Sequence, residues 1–473
     1  MYQNGFVIAA PKSGEGKTTI ACGIMAALVR RGMSVQPYKV GPDYVDPAFH
    51  RLICKRPSIN LDLWMVPEEL VRWSFAKRAS SAQVAVVEGV MGLFDGSQEA
   101  KRSGSTADLA RALDLGVILV LDVSKMADSA GALVSGFANY HPEVKIAAVV
   151  ANKVGSPNHY ELVKDAIEGS TGIPVIGGIG RDEHLAIPER KLGLSSPEQF
   201  THFSSWLDRI ADLMEKSIDL DYLLALTPQL HLPQVNDLKN VLNLAPQVHT
   251  RIAVARDAVF NSYYQDNLDL LSALGGEVVE FSPLRDQTLP ANIDGIYLSG
   301  RFSRDAAEVL SSNQGMHRAL QAACQVGTPI LAEGGGLAYL TEGYLEEDSF
   351  YPFAQLIPGK VRLTQRLAAM GYRQAFLHKD TILGLAGTEL RGHEFHYTSL
   401  SEDIWNGVFE TFSSKGEALG LTGFMTKNLV ASHLHWHFFS NPQALASFLQ
   451  KAQYYNKRSI GHETFERNNR RYT

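Results

Sequence analysis

Short apolar segments alternate with longer amphipathic segments along most of the chain. Over residues 6–180, six apolar runs predict strands: FVIAA, SVQPYKV, VAVVEGV, VILVLDV, IAAVVANKV and IPVIGGI. Continuous apolar runs of this length are typical of strands that are buried on both faces, and the segments between them have the length and polarity of surface helices. The pattern predicts an α/β fold with a parallel sheet.

The alternation is lost over residues 215–250, which contain several prolines. It returns with the runs RIAVARD, EVVEFSP, GIYLSG, PILAEGG and HLHWHFF, which predict a second α/β unit. Because 473 residues are too many for one core, we expect two domains. The expected organisation is a first domain over residues 1–214, a helix and linker over 215–250, a second domain over 251–450, and a polar, basic, irregular tail over 451–473.

Composition narrows the class of function. The formal net charge is −6 and the body of the chain has no basic stripe, so nucleic acid is not an expected partner. No signal peptide is evident at the start, and the longest apolar runs are shorter than the ~20 residues of a membrane helix. The three cysteines lie far apart and lack CxxC spacing, which argues against a disulfide framework. We therefore expect a cytoplasmic enzyme or switch without a membrane segment.

The segment FVIAAPKSGEGKTTIACGIMAAL predicts a strand, a loop of small residues and a helix. The backbone N–H groups of such a loop form a phosphate cradle, in which Lys17 would reach the β- and γ-phosphates and Thr18 would bind Mg²⁺. Pro11 replaces the first glycine of GxxxxGK[ST], and Lys12 resembles the extra lysine of deviant P-loops. The residues expected to bind ATP are Lys12, Ser13, Gly14, Glu15, Gly16, Lys17, Thr18, Thr19 and, at the end of a later strand, the candidate adenine contact Asn152.

Two further segments place charged side chains at strand ends. YKVGPDYVDPAFH follows the second predicted strand and carries Lys39, Asp43 and Asp46, and VVEGVMGLFDG leaves the third with Glu88 and Asp95. Parallel strands bring their carboxyl ends to one edge of a sheet, so these groups are expected beside the P-loop. Carboxylates there can hold Mg²⁺ directly or through water. The expected magnesium ligands are Thr18, Asp46 and Glu88.

Ten motifs, in order over nearly the whole chain, resemble those of the cobyrinic acid a,c-diamide synthase family. They are APKSGEGKTT, KVGPDYVDPAFH, SINLDLWM, VVEGVMGLFDG, IPERKLGL, RIAVARD, FSPLRD, IPGKVRLT, GHEFHYTSL and HLHWHFFSNP. The resemblance implies a dethiobiotin-synthetase-like ATP domain joined to a class I glutamine amidotransferase-like domain. Relatives of the family amidate hydrogenobyrinic acid or a nickel sirohydrochlorin, so the tetrapyrrole and its metal stay open.

The resemblance implies ATP- and Mg²⁺-dependent amidation of the a and c acetate carboxylates of a corrinoid, cobyrinic acid. The γ-phosphoryl group would convert a carboxylate into an acyl phosphate, and ammonia would displace phosphate. Lys12, Lys17 and Lys39 would stabilise the transferring phosphoryl group. Metal binding and substrate positioning would be shared among Asp43, Asp46, Glu88 and Asp95. The nitrogen donor would be ammonia or glutamine, and a homodimer is left open.

The second domain departs from the family at its catalytic elbow, the strand-to-helix turn over residues 333–336. The family has Glu-Cys-Gly-Gly there, whereas this chain has Glu-Gly-Gly-Gly, which puts Gly334 at the position of the nucleophile. The loop LSGRFSRD over residues 298–305 replaces a glycine-rich turn that is expected to supply the oxyanion hole. His435 matches the family's triad histidine. We expect no glutamine hydrolysis, and a scaffold that tolerates the loss because glycine accepts strained backbone angles.

Two other classes of function stay open. A non-catalytic ATP-responsive subunit or tetrapyrrole carrier would keep the scaffold, and a MinD-like ATPase switch is suggested by Lys12. The complete P-loop and its acids favour the ligase. The spacing of the remaining histidines permits a metal site, but HEFH is one residue too short for HExxH. Roles in the core, at the tetrapyrrole or at a domain interface are expected instead for His393, His396, His433 and His437.

Overall fold

The computed structural model divides the chain into two compact units, Met1–Val235 and Asn236–Thr473. It describes residues 3–96, 104–182, 202–227, 249–347, 349–401 and 405–469, with scattered positions between 189 and 242, and describes side chains as far as residue 455. No helix in these ranges combines the length and apolar character needed to span a bilayer.

The first unit is built on a seven-stranded sheet in the order β3-β2-β4-β1-β5-β6-β7, in which all pairs are parallel. This confirms the predicted parallel α/β fold. The predicted strands are all present, and the short edge strand β3 is added to them. The strands are β1 Asn4–Ala9, β2 Val35–Val40, β3 Ile59–Leu61, β4 Val84–Glu88, β5 Gly116–Asp122, β6 Ile146–Val154 and β7 Val175–Gly180, followed by the two-residue strands β8 Glu189–Arg190 and β9 Gly193–Leu194.

Helices cover the sheet because its central strands are apolar throughout. All residues of β4 are buried, and so are nearly all of β1 and β5. The first helix packs with the seventh around Gly23, where an added Cβ would lie 2.7 Å from Met214 Cγ. The helices of this unit are α1 Lys17–Arg30, α2 Val45–Cys54, α3 Glu68–Ala79, α4 Thr106–Ala112, α5 Ser129–Tyr140, α6 Pro157–Thr171, α7 Phe203–Ser217 and α8 Leu220–Leu226.

The second unit contains a six-stranded sheet in the order β11-β10-β12-β13-β23-β22, which is parallel except for its last pair. Two further sheets accompany it: a mixed sheet in the order β15-β14-β16-β19, whose central pair is parallel, and an antiparallel sheet in the order β21-β20-β17-β18-β24. The strands are β10 Thr250–Ala255, β11 Gly276–Phe281, β12 Gly295–Gly300, β13 Ile330–Gly334, β14 Gly343–Glu346, β15 Ser349–Pro352, β16 Lys360–Leu363, β17 Ala369–Leu377, β18 Glu389–His396, β19 Thr398–Leu400, β20 Phe409–Ser413, β21 Ala418–Thr422, β22 Phe424–Thr426, β23 Leu429–Ser432 and β24 His435–Trp436.

Among its described residues, the helices of the second unit are α9 Gln265–Ala273, α10 Ala307–Ser312, α11 Gln314–Val326, α12 Gly335–Leu340 and α13 Pro442–Asn469. The last one is continuous through much of residues 451–473, where the sequence suggested an irregular tail. Short 3₁₀ turns at Arg304–Ala306 and Phe438–Ser440 connect neighbouring elements.

The run HLHWHFF, predicted as one strand, is divided in the structure. The strand of the parallel sheet is β23, which ends at Ser432, and the Ser432 hydroxyl accepts a hydrogen bond from Leu434 N at 3.2 Å. This local bond turns the chain, so that β24 pairs with β18 in a different sheet. The single-strand prediction was therefore wrong, and a strand face shared by residues 433, 435 and 437 does not exist.

Two glycines of α5 test the packing of the first unit. A Cβ added to Gly131 would overlap the Ala166 carbonyl oxygen and lie 2.6 Å from Ser170 Oγ, whereas a Cβ on Gly136 meets nothing within 4 Å. We expect Gly131→Ala to lower the free energy of unfolding by about 1–3 kcal/mol. Gly136→Ala should raise it by roughly 0.5–1 kcal/mol, because alanine costs less backbone entropy than glycine. Chemical denaturation of both variants checks this, and equal effects would contradict the close approach of α5 to α6.

Candidate functional site

The P-loop lies between β1 and α1 and is shaped by two left-handed glycines. Gly14 has φ 85° and Gly16 has φ 92°, and no side chain caps the N-terminus of α1. Lys17 Nζ donates a hydrogen bond to the Met91 carbonyl oxygen at 3.1 Å. Burial, followed by repulsion from Lys39, lowers the pKa of Lys17. The loop thus presents open backbone donors beside a partly desolvated ammonium group, as a phosphate site requires.

Asn152 holds the P-loop from the end of β6. Its Nδ2 donates to the Glu15 carbonyl oxygen at 2.7 Å, and its Oδ1 accepts from Lys153 N at 2.9 Å. A Cβ on Gly16 would overlap Asn152 Nδ2, so the contact requires glycine. These bonds give Asn152 a structural role in the loop, and the adenine contact stays a prediction.

The other predicted loop residues are placed at the rim of the cradle. Lys12 has 77% of its side chain exposed and lies 3.8 Å from Glu15 Oε1, while Glu15 itself is buried and accepts a hydrogen bond from Asp122 N. Ser13 is exposed, and Thr19 lies in the first turn of α1. Lys12 is therefore free to move toward a bound anion, whereas Glu15 fastens the loop to β5.

A buried carboxylate, Glu88 at the end of β4, forms the centre of the site. Its Oε1 accepts from Thr18 Oγ1 at 2.6 Å and from Lys39 Nζ at 3.0 Å. Its Oε2 lies 2.7 Å from His50 Nε2. Lys39 Nζ also contacts Asp46 Oδ2 at 2.6 Å. These five residues, Thr18, Lys39, Asp46, His50 and Glu88, are called the Glu88 cluster below.

The charges of the Glu88 cluster set one another's pKa values. Burial opposes ionisation of Glu88, but the Lys39 ammonium and the His50 hydrogen bond outweigh it and lower the pKa of Glu88. Burial also opposes the charge on Lys39, yet Asp46 and Glu88 together raise the pKa of Lys39. Burial and the neighbouring Glu88 charge raise the pKa of Asp46. Lys39 and Glu88 therefore stabilise each other's charges, whereas the Asp46 carboxyl is harder to ionise than an exposed aspartate.

Two of the predicted magnesium ligands meet beside the P-loop. Thr18 Oγ1 and Glu88 Oε1 touch at the start of α1, and hydroxyl and carboxylate oxygens are ligands that Mg²⁺ prefers. Asp46 joins them through Lys39 rather than directly. Of the three predicted ligands, Thr18 and Glu88 are thus in direct contact, whereas Asp46 is separated from them by the Lys39 ammonium group.

Asp43 and Asp95 lie in the loops that flank the cluster. Asp43 Oδ1 accepts from Val45 N at 2.9 Å, and its side chain also hydrogen-bonds to Asp46. Asp95 Oδ2 accepts from Gly92 N at 3.0 Å and closes the loop that supplies the carbonyl bound by Lys17. Both acids therefore shape their loops at the edge where the sequence analysis expected them.

The turn at Gly334 in the second unit has a strained backbone. Gly334, between β13 and α12, has φ 52° and ψ −112°. A Cβ built on Gly334 would overlap His435 Nε2 and would lie 2.7 Å from His435 Cε1 and 2.8 Å from the Gly300 carbonyl oxygen. The imidazole thus fills the volume that a nucleophilic side chain would need.

Ser299 fixes the orientation of this imidazole. Its hydroxyl donates to the Ser262 carbonyl oxygen at 2.7 Å and contacts His435 Nδ1 at 3.1 Å. A carbonyl can only accept, so the hydroxyl proton is used there and Nδ1–H of His435 donates to Ser299. Burial, then repulsion from His393, lowers the pKa of His435. A neutral ring results, with its basic Nε2 directed at Gly334.

Glu333 is buried beside this pair. Its carboxyl group accepts from Tyr297 Oη at 3.0 Å and from Trp436 N at 3.3 Å, and lies 3.8 Å from His435 Nδ1. Burial outweighs these hydrogen bonds and raises the pKa of Glu333 to about 8. The group is therefore mostly protonated at neutral pH and supports the elbow as a neutral hydrogen-bonding residue.

The remaining histidines of the predicted set pack against aromatic rings. His396 and His433 stack with centroids 3.8 Å apart, and His393 Nδ1 lies 2.6 Å from Tyr264 Oη. Burial lowers the pKa of His393, His433 and His437 to about 3. Across the described residues, no group of three or more His, Cys, Asp or Glu side chains is arranged to hold a metal ion. The packing favours a core role.

The cysteines offer no substitute nucleophile. Cys324 lies in α11, and Cys22 and Cys54 belong to the core of the first unit. All three are buried, and burial raises the pKa of each thiol. A thiolate is the reactive form of cysteine, so these environments suppress nucleophilic chemistry.

Sequence analysis missed His50, Ser299 and Tyr297. His50 follows Asp46 by four residues in α2, a spacing that places two side chains on one helix face. That spacing could have indicated that both residues face the same cluster. The contacts of Ser299 and Tyr297 join segments that are distant in the sequence, so no local sequence pattern predicts them.

Comparison with known proteins gives consistent results for both units. The family model of the CobQ/CobB/MinD/ParA nucleotide binding domain matches residues 6–194, and that of the CobB/CobQ-like glutamine amidotransferase domain matches residues 251–443. The chain is 39% identical over 457 residues to cobyrinate a,c-diamide synthase of Priestia megaterium, covering 96% of this chain and 98% of the relative.

Two further relatives with the same name extend this likeness. The protein of Dehalococcoides mccartyi (strain ATCC BAA-2266 / KCTC 15142 / 195) is 41% identical over 452 residues, covering 94% of this chain and 97% of its own. That of Picrophilus torridus is 39% identical over 450 residues, covering 95% of this chain and 99% of its own. The likeness therefore spans both units.

The raised pKa of Glu333 predicts a pH dependence of stability. The unfolded carboxyl titrates near 4.5 and the folded one near 8, so the folded state binds the proton more tightly. The stability that protonation contributes is complete below about pH 4.5 and is lost as the pH rises to about 8. Relative to Glu333→Gln, the wild-type free energy of unfolding should fall by up to about 1.4 kcal/mol per pH unit in this window.

Urea denaturation of both proteins at several pH values measures this slope. The exposed Glu308→Gln serves as the matched control, since it removes a glutamate of the same unit without changing a buried group. Parallel curves for the wild type and Glu333→Gln would show that the buried carboxyl does not hold the proton.

The overlap at Gly334 predicts a coupling with His435. Gly334→Ala should lower the free energy of unfolding of the second unit by about 1–3 kcal/mol, since the methyl group meets the imidazole. His435→Ala removes the ring, so the double variant should lose less than the sum of the single losses. We expect a coupling of about 0.5–3 kcal/mol in a double-mutant cycle. Strict additivity would mean that backbone strain alone opposes a side chain at Gly334.

Proposed function

The chain belongs to the cobyrinate a,c-diamide synthase family, and on this basis we propose that it amidates the a and c acetate carboxylates of cobyrinic acid in an ATP- and Mg²⁺-dependent reaction. The class of enzyme is an ATP-dependent carbon–nitrogen ligase. The observation that carries the proposal is the Glu88 cluster, which lies directly beside an open phosphate cradle.

The chemistry needs carboxylate activation, and the first unit has suitable groups. A carboxylate is a poor electrophile because its charge repels nucleophiles and oxide is not a leaving group. Phosphorylation by ATP yields an acyl phosphate, which ammonia attacks with loss of phosphate. Magnesium, when bound, would neutralise charge on the nucleotide phosphates. Thr18 and Glu88 would hold it.

The lysines have separate tasks in this proposal. Lys17 would exchange its Met91 carbonyl partner for the β- and γ-phosphates, since its present bond is to a neutral acceptor. Lys39 is held by Asp46 and Glu88 and would offer its charge from a fixed position. Preorganised cations stabilise a transition state without the cost of reorganisation during the reaction. Asp43, Asp46 and Asp95 would position the acceptor carboxylate and water.

Free ammonia is proposed as the nitrogen donor. Gly334 has no nucleophilic atom, and His435 fills the space above it. A partner glutaminase would serve equally as the source of ammonia. The second unit would then act as a scaffold whose elbow is retained for packing.

The test is an amidation assay with product mass as the readout. Purified protein is incubated with cobyrinic acid, Mg-ATP and either ammonium or glutamine, and with hydrogenobyrinic acid or nickel sirohydrochlorin as competing substrates. We expect mono- and diamide products with ammonium and no glutamate release from glutamine. Lys17→Met should lower the rate by about 10³-fold or more, because the phosphoryl charge loses its partner. Lys77→Met, on the exposed face of α3, is the matched control.

Each outcome separates the candidate functions. Glutamate release at the rate of amidation would overturn the ammonia-dependent mechanism. ATP turnover without amide gain would replace the ligase by an ATPase switch, and tetrapyrrole binding without turnover would replace it by a carrier. Preference for one of the competing tetrapyrroles would change the substrate but keep the chemistry.

A further inference from the structure

His50 occupies a buried position that the proposed reaction leaves without a task. It lies in α2 with no exposed surface. Its Nε2 is 2.7 Å from Glu88 Oε2, and its Nδ1 is 3.1 Å from Ser58 Oγ. Both ring nitrogens are thus engaged, one by the central carboxylate of the cluster and one by a hydroxyl group that is itself buried.

The hydrogen-bond inventory fixes the direction of these bonds. An ionised carboxylate only accepts, so His50 Nε2–H must be the donor to Glu88. At the other end of the ring, Nδ1 lies 3.1 Å from the Ser58 hydroxyl. Ser58 therefore holds the ring in the orientation that directs Nε2 at Glu88. This is the arrangement by which an outer residue orients a ligand of a metal site.

The two oxygens of Glu88 have different surroundings. Oε1 receives Thr18 Oγ1 and Lys39 Nζ on the side of the P-loop, while Oε2 receives His50 on the opposite side. A carboxylate held at one oxygen only can rotate about its terminal bond. Without His50, Oε2 would be buried and unpaired, and rotation toward Lys39 would satisfy it at the expense of the contact with Thr18.

We propose that His50, held in its orientation by Ser58, is the positioning residue that fixes the rotation of the Glu88 carboxylate and so keeps Oε1 directed at Thr18 and a magnesium-bound nucleotide. The inference rests on the proposed magnesium site. Helix α2 provides two contacts to the cluster, because Asp46 and His50 lie one turn apart. Asp46 contacts Lys39, and His50 contacts Glu88.

The test measures how much magnesium strengthens nucleotide binding. Binding of a non-hydrolysable ATP analogue is titrated by calorimetry in Mg²⁺ and in EDTA for the wild type, His50→Ala, His50→Gln and Ser58→Ala. We expect His50→Ala to weaken binding about 10–100-fold in Mg²⁺ and less than about 2-fold in EDTA. His50→Gln should recover most of the loss, because its amide N–H reaches the position of Nε2. Ser58→Ala should fall between the wild type and His50→Ala.

Matched controls keep a folding defect separate from a loss of orientation. Cys54→Ala removes a buried side chain of the same helix without touching Glu88, and should lower stability while leaving the magnesium effect unchanged. Thermal denaturation of every variant accompanies the titrations. If His50→Ala weakens binding equally in Mg²⁺ and EDTA, or if His50→Gln binds no better than His50→Ala, the positioning role is overturned.

The experiment does not depend on the corrinoid. It uses only the nucleotide and the metal. If the wild type forms no amide but His50→Ala loses nucleotide binding in Mg²⁺ as expected, the proposed reaction alone is refuted. If the wild type forms the amides but Mg²⁺ strengthens nucleotide binding equally in His50→Ala and the wild type, the inference alone is refuted.

Discussion

The first unit is organised around one buried carboxylate with three donors. Glu88 stands at the end of an entirely apolar strand, where an unpaired charge would be prohibitively unfavourable. Thr18, Lys39 and His50 come from three different segments, and Glu88 accepts a hydrogen bond from each of them. The same bonds connect α1, β2 and α2. The ionised Glu88 carboxylate therefore both stabilises the packing of these elements and positions the groups of the candidate site.

The second unit holds a strained turn in place with buried polar contacts. Gly334 has a left-handed φ at this turn, and the hydrogen bond to Ser299 directs His435 toward it. Glu333, largely protonated, adds neutral hydrogen bonds beneath the turn. Buried polar contacts thus maintain the geometry of the turn.

Sequence predicted much of the architecture because its strongest patterns are local. Buried parallel strands are continuous apolar runs, and their ends share one edge, which is why Lys39 and Glu88 could be assigned to the site of Lys17. Strand β3 was missed because three residues carry no periodicity. The division of HLHWHFF depends on a turn set by one serine hydroxyl, and the partners of Glu333 come from segments far apart in the chain. Such contacts are decided by packing in three dimensions and leave no periodic trace.

The imidazole beside Gly334 constrains which substitutions the turn can accept. A single codon change that introduced a thiol there would place new atoms in a filled space, so the resulting protein would be less stable than the present form. A thiol at this position therefore requires the ring to move or to be replaced at the same time. Close packing thus makes stepwise exchange of this residue unfavourable, whichever reaction the second unit serves.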